Sequence, residues 1–329
     1  MSMLKLPRQL HDVQTLLRSL DWHSLEQEVA QEVTSRLVIV GPVNSGKSTL
    51  FNRLHGHKLS ATSAVPGTTT GIVEQPLGPF MLVDTPGLHR PRTLLGQRLN
   101  AEVRSTLSDV DVIAVTLPAD EKVGPGDRYI ATEAAAVRRA PKVAVVTKAD
   151  LVRPEQMAAH LASVQDLGNT LDFAWSQIVP VSAKTGFQVD LLVDLLVDLL
   201  PEGPMLFPAG QLTDEPLQMR VGELVREAAL EGVHDELPHS IAVVVEEIEP
   251  RADRPDDRPL TDVRVMLFVE RDSQKAIVIG QGGSRLRSVG ASARRGIEPL
   301  VGTPVFLDLR VKVAKDWQRD PKQLRRLGF

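Results

Sequence analysis

The octapeptide Gly41-Pro42-Val43-Asn44-Ser45-Gly46-Lys47-Ser48 fits GxxxxGK[ST] at every fixed position. It follows the apolar run LVIV at 37–40 and precedes the helix-like STLFNRL at 48–54. A strand, a glycine-rich turn and a helix in that order require a buried, mainly parallel sheet. The loop aims consecutive backbone N–H groups at one point beside a helix N-terminus, which suits a triphosphate. Lys47 would reach the outer phosphates and Ser48 would place its hydroxyl on Mg²⁺. Gly41, Asn44, Ser45, Gly46, Lys47, Ser48 and Thr49 are therefore the expected phosphate-side contacts.

The remaining sequence alternates in the same way. Short apolar runs recur at 80–83, 110–117, 143–146 and 178–181, with helix-like segments between them. The expected fold is α/β, a mainly parallel sheet flanked by helices over residues 35–200, with ligands at the carboxyl ends of its strands. A near repeat, LLVD-LLVD, at 191–198 gives the closing helix an apolar face. Residues 201–212, dense in Pro and Gly, read as a linker. Residues 213–329 read as a second, α+β domain. Its expected parts are a helix at 220–231, strands at 240–248 and 262–271, a Gly-rich turn at 280–283, a helix at 285–295 and a strand at 305–313. An additional helix also fits. Residues 1–34 space Leu16, Leu17, Leu20, Leu25, Val29 and Val33 as in one or two amphipathic helices.

With 329 residues there is enough chain for two cores. Cysteine is absent, which excludes disulfides, thiol chemistry and Cys-ligated metal. No apolar run reaches membrane-spanning length, and the first residues lack the apolar core of a signal peptide, so a cytosolic protein is expected. The net charge of -4 conceals an asymmetry. From 271 to 329 there are about 13 Lys and Arg against about 5 Asp and Glu. A basic end on an acidic protein points to an anionic polymer, nucleic acid first.

Further motifs define the nucleotide. Asp84-Thr85-Pro86-Gly87 ends a strand 37 residues after Lys47. Asp84 would hold Mg²⁺ through water, and the Gly87 N–H would sense the terminal phosphate. Between them lies Thr68-Thr69-Thr70, where Thr69 would complete the Mg²⁺ shell in the triphosphate state. Thr147-Lys148-Ala149-Asp150 ends another strand. The Asp150 carboxylate can accept from the guanine ring N–H and exocyclic amine together, a donor pair adenine lacks. Lys148 would pack its stem over the base, and Ser182-Ala183-Lys184 would meet the guanine carbonyl. Leu88 stands where some GTPases carry a water-positioning Gln. The residues thus point to a Mg²⁺-dependent GTPase in which Lys47, Thr69 and Gly87 serve the chemistry.

In this order the motifs resemble the Era/EngA/MnmE group of translation-factor-like GTPases, which also place an apolar residue after DTPG. That resemblance implies K⁺-stimulated hydrolysis, slow in itself, with Asn44 helping to hold the cation. The segment 270–284 (ERDSQKAIVIGQGGS), the strand VFLDLRVKV, Asp316-Trp317 and the ending LRRLGF are similar to the type II KH domain of Era-type GTPases. In a KH domain the GxxG turn, here Gly280-Gln281-Gly282-Gly283, clamps about four nucleotides of backbone. Lys275, Arg285 and Arg287 flank it as expected phosphate contacts.

The resemblance implies binding near the 3′ end of small-subunit, 16S-type ribosomal RNA and a GTP-controlled switch in 30S subunit maturation. It implies a monomer in the cytoplasm, with a fraction at the inner membrane face. Three departures stand out. The group usually has Asn at Thr147, so the side-chain amide that ties base loop to phosphate loop is expected to be lost and nucleotide affinity to fall, with Asp150 still favouring guanine. It has Arg at Thr70 and commonly Val at Ser45. Thr147, Leu88 and the absent switch arginine leave an RNA-binding scaffold with little turnover as the alternative.

Overall fold

The computed structural model describes residues 35–56, 71–77, 80–91, 93–201, 217–231, 241–252, 258–327 and 329. The expected N-terminal helices, Thr69 and the linker after Pro201 lie outside the described residues.

The first unit is a six-stranded sheet in the order β2-β3-β1-β4-β5-β6. Its strands are β1 (Ser35–Val40), β2 (Val73–Leu77), β3 (Phe80–Asp84), β4 (Val112–Pro118), β5 (Lys142–Thr147) and β6 (Gln177–Pro180). All pairs are parallel except β2 with β3. Strand alternation builds two cores from single strands. Val38 and Val40 join Val115, Leu117 and Val146 on one face. There they meet Val103 and Leu107 of α2 (Leu94–Leu107), Ile130 and Ala134 of α3 (Pro125–Ala136), and Val164 and Leu167 of α4 (Pro154–Thr170). Leu37 and Ile39 face the other way, onto Leu50 and Phe51 of α1 (Lys47–His55) and Leu192 and Leu196 of α5 (Val189–Leu199). With both faces covered, β4 is buried at all seven positions, VIAVTLP.

Strand β2 was not expected. Its sequence, VEQPL, has no apolar run and contains Pro76. It sits at the sheet edge, where a missing N–H is tolerated.

The second unit is a three-stranded sheet, β7 (Ala242–Pro250), β8 (Thr261–Val269) and β9 (Val305–Val313). The β7–β8 pair is antiparallel and the β8–β9 pair parallel. One face packs on α6 (Leu217–Leu230), α7 (Asp272–Ile279) and α8 (Ser284–Val301) through Val225, Val265, Val278, Val289 and Ile297. The additional helix is α7. Helix α8 runs six residues beyond the expected 295 and ends at Gly302, whose left-handed backbone (φ 76°) returns its N–H to Glu298 O.

The two units meet at the start of α2. Leu95 is buried with Ala242, Met266, Phe268, Trp317, Leu324 and Leu327. Its N–H donates to Gln318 O at 3.0 Å, and Arg98 Nη1 donates to Phe329 O at 2.6 Å. The short helix α9 (Pro321–Arg326) supplies Leu324. A cavity of about 660 Å³ lies beside this joint, between β2, α2, α6 and β7.

Candidate nucleotide site and nucleic-acid interface

The carboxyl ends of β1, β3, β5 and β6 bring together the four motif groups that the structure describes. After β1 the chain turns through Asn44 (φ 62°) and Gly46 (φ 86°) into α1. Gly41 lies so close to β4 that a Cβ there would overlap Thr116 Oγ1. Only glycine permits that approach.

Lys47 is buried at 5% exposure and donates to Pro42 O at 2.8 Å and Gly41 O at 3.3 Å. Burial lowers its pKa from 10.5 to about 8, with the Asp84 carboxylate acting in the opposite direction. A buried ammonium held by two neutral carbonyls is poised for an anion, which fits the outer phosphates of a nucleotide. Ser48 Oγ donates to Asp84 Oδ2 at 2.7 Å. This hydroxyl–carboxylate pair, oxygen-only and beside Lys47, is the donor set a Mg²⁺ takes up. Thr85 Oγ1 donates to Ile39 O at 2.9 Å and fixes the turn after β3 on β1. Leu88 N–H donates to Gly41 O at 3.2 Å, and the Leu88 side chain is buried in the core rather than facing the site. Gly87 is partly buried and Thr49 is exposed.

On the base side, Lys148 takes a left-handed backbone (φ 57°) and its Nζ pairs with Asp120 Oδ2 at 3.1 Å. Asp150 is exposed, and its Oδ1 accepts from Ser182 Oγ at 2.6 Å. That bond ties the β5 and β6 loops, with Ala183 partly buried and Lys184 exposed beside it. Thr147 corrects the expected loss of the loop-to-loop tie. Its Oγ1 donates to Ser45 O at 2.6 Å, 102 positions away. A hydroxyl is long enough here because β5 ends against the phosphate loop. Ser45 Oγ in turn meets Thr116 Oγ1 at 2.6 Å. Thr116 and Asp120 escaped sequence reasoning. The only signal was a polar residue inside the otherwise apolar β4.

The Gly-rich turn joins α7 to α8. Gly280 (φ 72°) has Arg285 N within 2.9 Å of where a Cβ would stand, so the turn closes tightly on the start of α8. Gln281 and Gly282 are exposed and Gly283 partly buried. Among the described residues, apart from chain neighbours, no atom stands within 4 Å of the Cβ position at Gly282 or Gly283, leaving the backbone open to approach. Lys275 is partly buried, and exposed Arg287 donates to Gly282 O at 2.6 Å. Arg285 differs from expectation. Its Nη2 donates to Glu231 O at 2.9 Å and Ala229 O at 3.2 Å, so the guanidinium closes the C-terminal end of α6.

The sequence profile described as "50S ribosome-binding GTPase" matches residues 36–148, and the KH domain profile matches 236–318. GTPase Era of Streptomyces coelicolor is 62% identical over 294 residues, covering 88% of this chain and 93% of that protein. The chain belongs to the Era family of GTPases. GTPase Era of a Nocardioides species is 59% identical, covering 88% of this chain and 94% of its own. A crystal structure of Era with MgGDPNP and nucleotides 1506-1542 of 16S ribosomal RNA superimposes with a TM-score of 0.82 at 34% identity. It covers 90% of this chain and 98% of that one. A crystal structure of an Aquifex aeolicus Era variant bound to GDP.AlF4- gives 0.82 at 33% identity, covering 90% and 99%. This Era-family chain is a GTPase with a P-loop domain and a KH domain. No helix among the described residues is long and apolar enough to cross a membrane.

Proposed function

We propose that this Era-family GTPase binds the 3′ region of small-subunit ribosomal RNA through its KH domain and switches that grip with GTP during 30S maturation. The observation carrying the proposal is the joint at α2. The helix that begins a few residues after Asp84–Gly87 is also the one on which the KH unit rests. A change at the phosphate end therefore has a direct mechanical route to the RNA-binding unit.

In this reading GTP and GDP lie on Gly41–Thr49. Lys47 would neutralise the outer phosphates, and Ser48, Asp84 and Thr69 would hold Mg²⁺. Thr85 and Gly87 hold the turn that follows the terminal phosphate. Thr147, Lys148, Asp150 and 182–184 select guanine. Asn44 would hold K⁺, which would supply positive charge beside the phosphates where Leu88 offers none. When bound, Mg²⁺ supplies charge neutralisation of the phosphates. The protein's own part is to orient, to neutralise and to exclude water. On the RNA, Gly280, Gln281, Gly282 and Gly283 clamp the backbone, with Lys275 and Arg287 on phosphates. Residues 35–200 form the GTPase domain and 213–329 the RNA-binding domain, joined by 201–212, with 1–34 as an extension before the first. The protein acts as a cytoplasmic monomer with a peripheral fraction at the inner membrane, a reading supported by the family resemblance.

Filter binding of a 16S 3′-end oligonucleotide with the GTP analogue or GDP tests the proposal, with hydrolysis followed in K⁺ and in Na⁺. Nucleotide-dependent RNA affinity and faster phosphate release in K⁺ are expected. Equal RNA affinity in all nucleotide states would overturn the switch.

A further inference from the structure

Pro42 O, in the bend of the phosphate loop, has more suitors than it needs. It accepts from Lys47 Nζ at 2.8 Å, and Ser45 Oγ lies 2.9 Å away. The Ser45 N–H makes only a long contact, 3.4 Å. Ser45 Oγ is also 2.6 Å from Thr116 Oγ1, which in turn lies 3.2 Å from Val40 O. Ser45 and Thr116 are both fully buried. The two hydroxyls hold two protons, and three bonds compete for them. If Thr116 donates to Val40 O, Ser45 donates to Thr116 and Lys47 alone satisfies Pro42 O. If Ser45 donates to Pro42 O, Thr116 donates to Ser45, since two lone pairs 2.6 Å apart would repel.

We infer, on the reading of Lys47 as the phosphate-binding lysine, that Ser45 and Thr116 form a hydroxyl rotor that takes over Pro42 O when Lys47 leaves it for the nucleotide. Moving Lys47 would otherwise strip its main donor from a carbonyl in the loop and leave it poorly satisfied, an expensive state. A half-turn of two hydroxyls supplies the replacement without moving a heavy atom, in exchange for the Thr116 bond to Val40 O, the longest of the three at 3.2 Å. The rotor needs Ser at 45 and Thr at 116 together, and the Thr116 hydroxyl reaches Ser45 only because Gly41 lacks a side chain. Ser45 and Thr116 are positioning residues. They touch the loop, and they act on the nucleotide through Lys47.

The two states predict different outcomes for one variant. In nucleotide-free Ser45→Ala, Thr116 still donates to Val40 O and Lys47 still donates to Pro42 O. Its melting temperature therefore stays within about 2 °C of the parent. With nucleotide bound, Pro42 O has lost its replacement donor, and the dissociation constants of both GDP and GTP rise about tenfold. Thr116→Ser keeps the parent affinity. Thr116→Val leaves the Ser45 hydroxyl on Pro42 O in both states, and affinity stays within about threefold of the parent. Fluorescent-GDP titration together with thermal melting of the full chain, with and without GDP, reads all of these.

Ser45→Ala binding GDP within about twofold of the parent would overturn the rotor. So would a loss of nucleotide-free stability matching the loss of affinity, which would make the hydroxyl a plain structural one. Lys47→Ala separates the rotor from the reading beneath it. If that variant binds GDP as the parent does, Lys47 is not the phosphate lysine and both readings fall. If it loses GDP while Ser45→Ala keeps it, the rotor alone falls.

Discussion

At the scale of single residues, the charge of Lys47 sets a pH window. Its pKa is lowered to about 8 from 10.5, chiefly by burial. Between those values the unfolded chain holds a proton that the folded chain has released. Stability of the nucleotide-free protein therefore rises with pH across that interval. Nucleotide binding runs the other way, because phosphates favour the charged ammonium. GDP affinity is expected to fall as pH passes about 8, with proton uptake on binding. Calorimetric titrations in two buffers of different ionisation enthalpy check this. Thr147 gives a second residue-scale expectation. Thr147→Val strands the buried Ser45 carbonyl and should weaken guanine nucleotides by about tenfold, whereas Thr147→Ser restores them. The types and spacing of Lys47, Ser48, Asp84 and Asp150 were legible because a motif is a local pattern. The Thr147–Ser45 bond was not, because it depends on where two strands end in space.

Among the elements, the Gly280–Gly283 turn separates fold from function most cleanly. Gly282 has φ 59° and, among the described residues beyond its chain neighbours, no atom within 4 Å of its Cβ position, a conformation Asp tolerates. Gly282→Asp should keep the fold and the basal hydrolysis rate, yet lower RNA affinity more than about tenfold by facing phosphates with a carboxylate. Filter binding and a phosphate-release assay on the same preparation check it. The two arginines after the turn should part company. Arg287→Ala is expected to reduce the salt dependence of RNA binding by about one unit of slope. Arg285→Ala should leave that slope unchanged and lower the melting temperature, since its guanidinium closes α6. Most elements could be read from hydrophobic period. Strand β9 falls on the expected 305–313, because a parallel edge buried on one side alternates cleanly. Strand β2 could not be read, because VEQPL becomes a strand only through its partner β3.

For the whole molecule, the decisive contact is the one between units. Trp317 is 1% exposed and stacks on Phe329 at 5.5 Å between ring centroids. Removing it with Trp317→Ala should cost about 3–5 kcal/mol of stability at this joint. Basal GTP hydrolysis should persist while the nucleotide dependence of RNA binding disappears. Denaturant unfolding and RNA binding in the two nucleotide states check the pair. None of this joint was legible in the sequence. Arg98 and Phe329 lie 231 positions apart, and neither belongs to a motif that names the other. The joint also has a consequence for how the protein is made. Domains fold largely as they emerge during synthesis, N-terminal first. The GTPase unit can complete both faces of its sheet while the leucines at the start of α2 still lack their cover. That greasy spot is sealed only when Trp317, Leu324 and Leu327 have left the ribosome. A truncated product would thus emerge with a sticky face and a ready handle for chaperones.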